Sequence, residues 1–195
     1  ANEDVFEMED LPHSLIQIGG GPISVELGQA FRRLGSEITI LDKAPRIMPR
    51  EDKELVAILQ KQLETEGIRI AAGVDITAIR KDGEKKVVVF EKDGKKEEVR
   101  ADEILAAMGR TPNIEGLDLE KAGVEYTAKG IEVDDHLRST AENIWAVGDV
   151  KDKYLFTHAA EYEGRIVVQN ALFPFKKKAS YRTMPWCTFT EPELA

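Results

Sequence analysis

The chain has 195 residues, 42% apolar and 32% charged, with a formal net charge of −9. That length can bury a full core and hold one large domain or parts of two, and the acidic balance argues against nucleic acid or an anionic membrane as partner. A single cysteine, Cys187, excludes an internal disulfide and a cysteine-based metal site, and the acidic start "ANEDVFEMED" is no signal peptide, so the expected compartment is the cytoplasm.

The first half alternates strand and helix patterns. "SLIQIGG" is an apolar run ending in glycines, as a strand buried on both faces requires. From Pro22 a helix is expected, with Val25, Leu27, Phe31 and Leu34 at near-helical spacing and Gly35 as its stop. "EITILD" is the next strand. A second helix is expected over residues 51–66, with Leu55, Ile58, Leu59 and Leu63 on its buried face, and "GIRIAA" is the third strand. This βαβαβ order implies an α/β fold with a parallel, Rossmann-like sheet.

Two Lys-Asp-Gly turns, at 81–83 and 92–94, then separate alternating segments. They predict a three-stranded antiparallel meander covering one face of the parallel sheet. "DEILAAMG" returns as a buried strand. Further on, "GIEVD" and "NIWAVGD" are expected to be short strands, followed by a helix over residues 157–172. The run Lys176 to Lys178 is expected to be a solvated linker.

Two features carry chemistry. In "GGGPIS", Gly19 permits the tight turn and Gly21 lets backbone approach a pyrophosphate held at the start of the following helix. Ser24 stands where the G-x-G-x-x-G pattern has its third glycine, and is small enough to pack helix on strand. Asp42 ends the second strand about 20 residues on, where a carboxylate takes both ribose hydroxyls. It favours NAD; Lys43 and Arg46 just beyond could offset its repulsion of a 2′-phosphate and leave NADP open. The second feature is Asp149, a carboxylate ending an apolar run far from any glycine loop of its own.

Together, "IGGGPISVELGQAFRRLGSEITILD", "ILAAMGRTPNIEGL", "STAENIWAVGD" and "FTEPELA" resemble the flavin-dependent pyridine nucleotide–disulfide oxidoreductases, in particular mercuric-reductase-like and dihydrolipoamide-dehydrogenase-like members. The resemblance implies an NAD(P)-binding domain over 1–110, a second segment of a split FAD-binding domain over 111–178, and the start of a dimerisation domain over 179–195. It implies that Asp149 holds the ribityl chain of FAD, that Leu155, Phe156, Thr157 and His158 touch the flavin ring, and that Glu26 lies beside the flavin–nicotinamide contact. Ile76 and Gly109 are implied to line the adenine and nicotinamide ends of the dinucleotide site.

By the same resemblance, the first flavin segment with its redox cysteine pair, and the rest of the dimerisation domain, are expected as partners from the same protein, which would act as a homodimer. Cys187 is expected to be a small core residue, with no catalytic or metal-binding role. The implied activity is hydride transfer from NAD(P)H to FAD and onward to a disulfide, dithiol or metal ion, with the chain alone inactive. Two alternatives stay open: an NADH oxidase or ferredoxin/rubredoxin-reductase type without the cysteine pair, and a free-standing NAD-binding module.

Overall fold

The computed structural model describes residues 2–195; residue 1, first of the expected NAD(P)-binding domain, lies outside the described residues. Contacts divide the chain into two compact units, one holding the described residues to Gly109 with Cys187–Ala195, the other Arg110–Trp186.

The first unit starts with a short helix α1 (Asn2–Val5) and continues β1 (Ser14–Ile18), α2 (Pro22–Leu34), β2 (Glu37–Asp42), α3 (Lys53–Thr65) and β3 (Arg69–Ala72). The antiparallel strands β4 (Asp75–Asp82), β5 (Lys85–Lys92) and β6 (Lys95–Ala101) follow, and β7 (Glu103–Ala106) closes the series. The parallel sheet has the order β3-β2-β1-β7. Ser14 faces Glu37 and Ile18 faces Leu41 on one side of β1, while Leu15 faces Glu103 on the other. With neighbours on both edges and layers on both faces, all five β1 residues are buried.

Alternation along β1 sends its side chains to two layers. Leu15 joins Ile38, Ile40, Val25, Leu59 and Leu63 beneath the helices. Ile16 and Ile18 join Leu41, Val88 and Phe90 beneath the meander, as the sequence anticipates. The β5–β6 turn places Asp93 and Gly94 at φ of 51° and 72°, the pair of positive angles that a tight I′ hairpin needs.

Both long helices differ in detail from the sequence expectation. α2 begins on Pro22 and ends at Gly35, whose φ of 115° lets its N–H close on the Arg32 carbonyl. Its Leu34, however, is exposed, and Ser24, Val25, Gly28 and Gln29 are the buried set. α3 begins at Lys53, because the Asp52 side chain caps the Glu54 and Leu55 N–H groups at 2.9 and 3.1 Å. It buries Val56, Leu59 and Leu63 and leaves Leu55 and Ile58 exposed. Two adjacent stripes both have helical spacing, and only the docking direction on the sheet selects between them.

Glu66, just after α3, accepts from Arg33 at 2.8 Å, Gln62 at 2.8 Å and Gln29 at 3.0 Å. Hydrogen bonding from the Arg33 guanidinium is the largest cause that lowers its carboxyl from an ordinary 4.5 to about 2. A depressed carboxylate contributes stability above its unfolded value, and that contribution is lost as pH falls from about 4.5 towards about 2. Glu66→Gln is therefore expected to flatten this part of an acid-unfolding curve. The effect is limited by solvent, since Arg33 is half-exposed.

In the second unit, Leu119, Val124, Ile131 and Ala146 form a small core. The expected strand at "GIEVD" is reduced to β9 (Gly130–Ile131), paired with β8 (Tyr126–Thr127). The expected strand at "NIWAVGD" is not a strand. It makes one bridge, Arg138 to Trp145, and Ala146 N–H donates to Leu137 at 3.1 Å. A 3-10 turn follows at Gly148–Lys151, and then α4 (Thr157–Leu172). Apolar residues supply strand propensity, but a ladder also needs a neighbouring strand, which the described residues of this unit do not offer. The lysine run is exposed, as a solvated linker should be, and it is also tied down: Lys176 Nζ donates to the Asn170 and Phe173 carbonyls at the end of α4, and Lys178 pairs with Asp135 at 3.0 Å. No helix among the described residues is long and apolar enough to cross a membrane.

Candidate functional site

The turn between β1 and α2 contains three glycines held for different reasons. Gly19 has φ of 102°, and a Cβ there would lie 2.4 Å from the Ala107 carbonyl oxygen. At Gly20 a Cβ would meet Asp42 Oδ2 at 2.6 Å and Ile47 at 2.9 Å. Gly21 has an ordinary φ of −80°, and nothing lies within 4 Å of the place its Cβ would take. The fold requires the first two glycines and makes no demand on the third.

Gly21 precedes Pro22, the first residue of α2. The first helical bond runs from Val25 N–H to Gly21 at 3.1 Å, so the Ile23 and Ser24 N–H groups precede the helical ladder. α2 has no side-chain cap and no acidic residue in its first turn. No side chain of its own first turn offsets its positive end, whereas that of α3 is capped by Asp52. Ser24 is fully buried with its hydroxyl unpartnered, a packing residue between helix and sheet. Gln17 of β1, also fully buried, fastens α2 from below. With its amide oriented to satisfy both groups, it donates to the Ser24 carbonyl at 2.8 Å and accepts from Gly28 N–H at 3.2 Å.

Asp42 faces this turn. Its carboxylate accepts Gly20 N–H at 2.7 Å and Ala44 N–H at 2.9 Å. Gly20 also accepts Met48 N–H at 2.8 Å, which ties the glycine turn to the loop after β2. Arg46 closes that loop on itself, donating to the carbonyls of Met48, Pro49 and Glu51 at 2.8, 2.9 and 2.8 Å. Its expected use against a 2′-phosphate conflicts with this engagement. Lys43 is 87% exposed and 3.4 Å from Asp75.

The other expected residues of this unit are less uniform. Gly109 has φ of 132° with open space about it. Ile76 is partly buried against the core beneath the meander, which gives it a packing role. Glu26 Oε1 accepts Phe189 N–H at 2.8 Å, and Gln29, one helical turn on, grips both backbone groups of Glu191, at 2.7 and 2.8 Å. α2 thereby holds the segment from Cys187 onward, a contact with no signal in the sequence. Cys187 is half-buried rather than a core residue. Desolvation pushes its thiol above the ordinary value, as do nearby Glu193 and Glu26.

In the second unit Asp149 sits in the 3-10 turn, 43% exposed, and pairs with Arg110. Arg110 also donates to the Leu155 carbonyl at 3.3 Å. The arginine lies within the quoted "GRTPN" run, so its motif was visible although its role was not. α4 starts at Thr157 without a side-chain cap or an acidic residue in its first turn. Phe156 precedes it, with ring centroids 5.3 Å from His158 and 6.4 Å from Trp186. His158 bonds the Pro185 carbonyl at 2.8 Å.

A buried cluster fixes the turn from behind. Glu163 of α4, fully buried, accepts Gly148 N–H at 2.7 Å, Lys151 at 2.8 Å and the Tyr181 hydroxyl at 2.6 Å. Burial raises the Tyr181 phenol further above its ordinary value, with Glu163 as the next cause. Periodicity gives no sign of this cluster, because its members are spread over thirty residues of three segments. Among the described residues no group of three or more His, Cys, Asp or Glu side chains could hold a metal ion.

A glycine turn feeding an uncapped helix in a parallel βαβαβ sheet, with an acidic residue closing the second strand, defines a Rossmann-type fold. The sequence matches the family described as Pyridine nucleotide-disulphide oxidoreductase over residues 1–164, and the chain belongs to that family. It is 36% identical to a dihydrolipoyl dehydrogenase of Mycobacterium leprae over 99% of this chain and 42% of that protein. Identity to a mercuric reductase of Bacillus cereus is also 36%, over 98% of this chain and 30% of the reductase. Among solved structures, the HOCl-induced flavoprotein disulfide reductase RclA from Escherichia coli superposes with a TM-score of 0.88 at 30% identity, covering 97% of this chain and 43% of RclA. The chain thus spans less than half the length of these relatives.

Proposed function

We propose that this chain is the NAD(P)H-binding part of a flavoprotein reductase and supplies one flank of its flavin site. The whole protein would pass a hydride from NAD(P)H to FAD and then reduce a disulfide or metal-ion acceptor, as mercuric reductase would by its name. Run the other way, it would take electrons from a dithiol through FAD to NAD(P)+, as dihydrolipoyl dehydrogenase would by its name. The observation that carries the reading is Gly21: a glycine with ordinary backbone angles and empty space where a side chain would go, at the mouth of an uncapped helix. A dinucleotide pyrophosphate fits that space, with the Ile23 N–H group and the positive end of α2 facing it and Asp42 as the acceptor for ribose hydroxyls.

The residues of the second unit fit FAD in the same sense. Asp149 is accessible and held in place by Arg110, and the uncapped start of α4 offers N–H groups and a positive dipole end to an anionic ring edge. When bound, FAD supplies the hydride acceptor and electron carrier. The chain's own part is to place the two cofactors and to set the electrostatics about them. With one cysteine it offers no dithiol, so electrons would leave through groups outside these 195 residues. We propose that a further flavin segment and a dimerisation domain of the same protein, paired in a homodimer, complete the site.

Titration of the 195-residue chain with NADH is the direct test. Saturable binding is expected, with no tight stoichiometric complex with FAD and no thiol- or mercury-dependent oxidation of NAD(P)H. A chain that ignores NADH would refute the dinucleotide reading, and a tight FAD complex would refute the shared flavin site.

A further inference from the structure

We propose that Arg46 is a coenzyme-specificity residue. By spending its guanidinium on three carbonyls of its own loop it leaves Asp42 to decide at the ribose, so the site takes the dinucleotide without a 2′-phosphate. The inference rests on the dinucleotide reading above and adds to it a residue and a mechanism.

Arginine just beyond the strand-end carboxylate would ordinarily be the group to welcome a phosphate, since its fork matches phosphate oxygens. Here the fork is occupied. Arg46 Nη1 donates to Met48, and Nη2 donates to Pro49 and Glu51, all between 2.8 and 2.9 Å. The loop it holds is itself restrained. Ile47 and Met48 are buried, and Met48 has φ of 47°, a left-handed angle that a non-glycine residue adopts only when its surroundings require it. Met48 N–H then donates to Gly20, whose own N–H donates to Asp42.

One continuous chain of bonds therefore runs from the guanidinium through Met48 and Gly20 to the Asp42 carboxylate. It orders the glycine turn and withdraws a cation from the ribose end in the same act. Lys43 does not replace that cation in a fixed position. It is 87% exposed and pairs with the surface carboxylate of Asp75 at 3.4 Å, a kind of pair that contributes little.

The test uses the 195-residue chain and compares NADH with NADPH by cofactor-fluorescence titration, with far-UV circular dichroism as a check on folding. The unchanged chain is expected to prefer NADH. Arg46→Lys keeps the charge but cannot satisfy three carbonyls, so NADH binding should weaken by about tenfold, the size of one charge-assisted hydrogen bond. NADPH binding should hold or improve as the freed ammonium reaches the phosphate, narrowing the preference by about tenfold or more.

Arg46→Gln breaks the same bonds without offering a cation. It should weaken both cofactors and leave their ratio as it was, which a purely structural role would also do for the lysine. A narrowed ratio in Arg46→Lys alone supports the proposal. An equal loss of both cofactors in the two variants, or an unchanged NADH affinity in Arg46→Lys, overturns it. If the unchanged chain binds neither cofactor, the dinucleotide reading fails first, a result separable from these.

Discussion

Gly19→Ala is expected to destabilise the chain by roughly 3–5 kcal/mol, combining a left-handed backbone angle with overpacking, while Gly21→Ala changes stability by less than about 0.5 kcal/mol. At Gly19 the added methyl would stand 2.4 Å from the Ala107 carbonyl oxygen. That carbonyl belongs to backbone already pinned to the sheet, since Ala107 N–H donates to Ile18 at 2.8 Å. Neither side can withdraw cheaply. At Gly21 the methyl meets nothing, and alanine adopts φ of −80° without strain.

The two variants should separate in the opposite sense in binding. Gly21→Ala should keep its thermal midpoint and lose NADH affinity by at least about tenfold, because the methyl takes the space of the pyrophosphate. Thermal unfolding by circular dichroism and NADH titration on the same samples would check both. A Gly21→Ala chain that binds NADH normally would remove the main support for the dinucleotide site.

Lys151→Met is expected to cost the second unit about 3–5 kcal/mol, the usual result of leaving one member of a buried ion pair alone. Lys151 and Glu163 side chains are 3% and 0% exposed, so water cannot replace the missing partner. The Glu163 carboxylate would keep only the Gly148 N–H and the Tyr181 hydroxyl. Adding Glu163→Gln should restore most of the loss, since a neutral amide still accepts a hydrogen bond and no bare charge is left. Urea unfolding followed by tryptophan fluorescence is the appropriate measurement, because the chain's two tryptophans, Trp145 and Trp186, both lie in this unit. A Lys151→Met midpoint equal to that of the unchanged chain would show that the pair contributes nothing.

Much of the first unit was legible from local pattern. The glycine punctuation, the Pro22 start and Gly35 stop of α2, and the paired Asp-Gly turns each act through a few neighbouring residues, so spacing alone reports them. The parallel order of β1, β2 and β3 follows because helical crossovers leave no other pairing. α4 was likewise found at its full length, residues 157–172.

Other features were decided only when distant segments met. The stripe of α3 that turned inward was Val56, Leu59 and Leu63, because docking on the sheet chose between two equally helical faces. "NIWAVGD" carries the composition of a strand and lacks the neighbour that would make it one. Arg46 looked like a free cation until its three carbonyls came within reach, and Arg110, Lys151, Glu163 and Tyr181 acquired roles only through contacts across tens of residues. Backbone conformation is set by short-range sterics and periodicity, which a sequence displays directly. The partner of a charged or polar side chain is set by which segments are brought together in space, and that is a property of the folded chain alone.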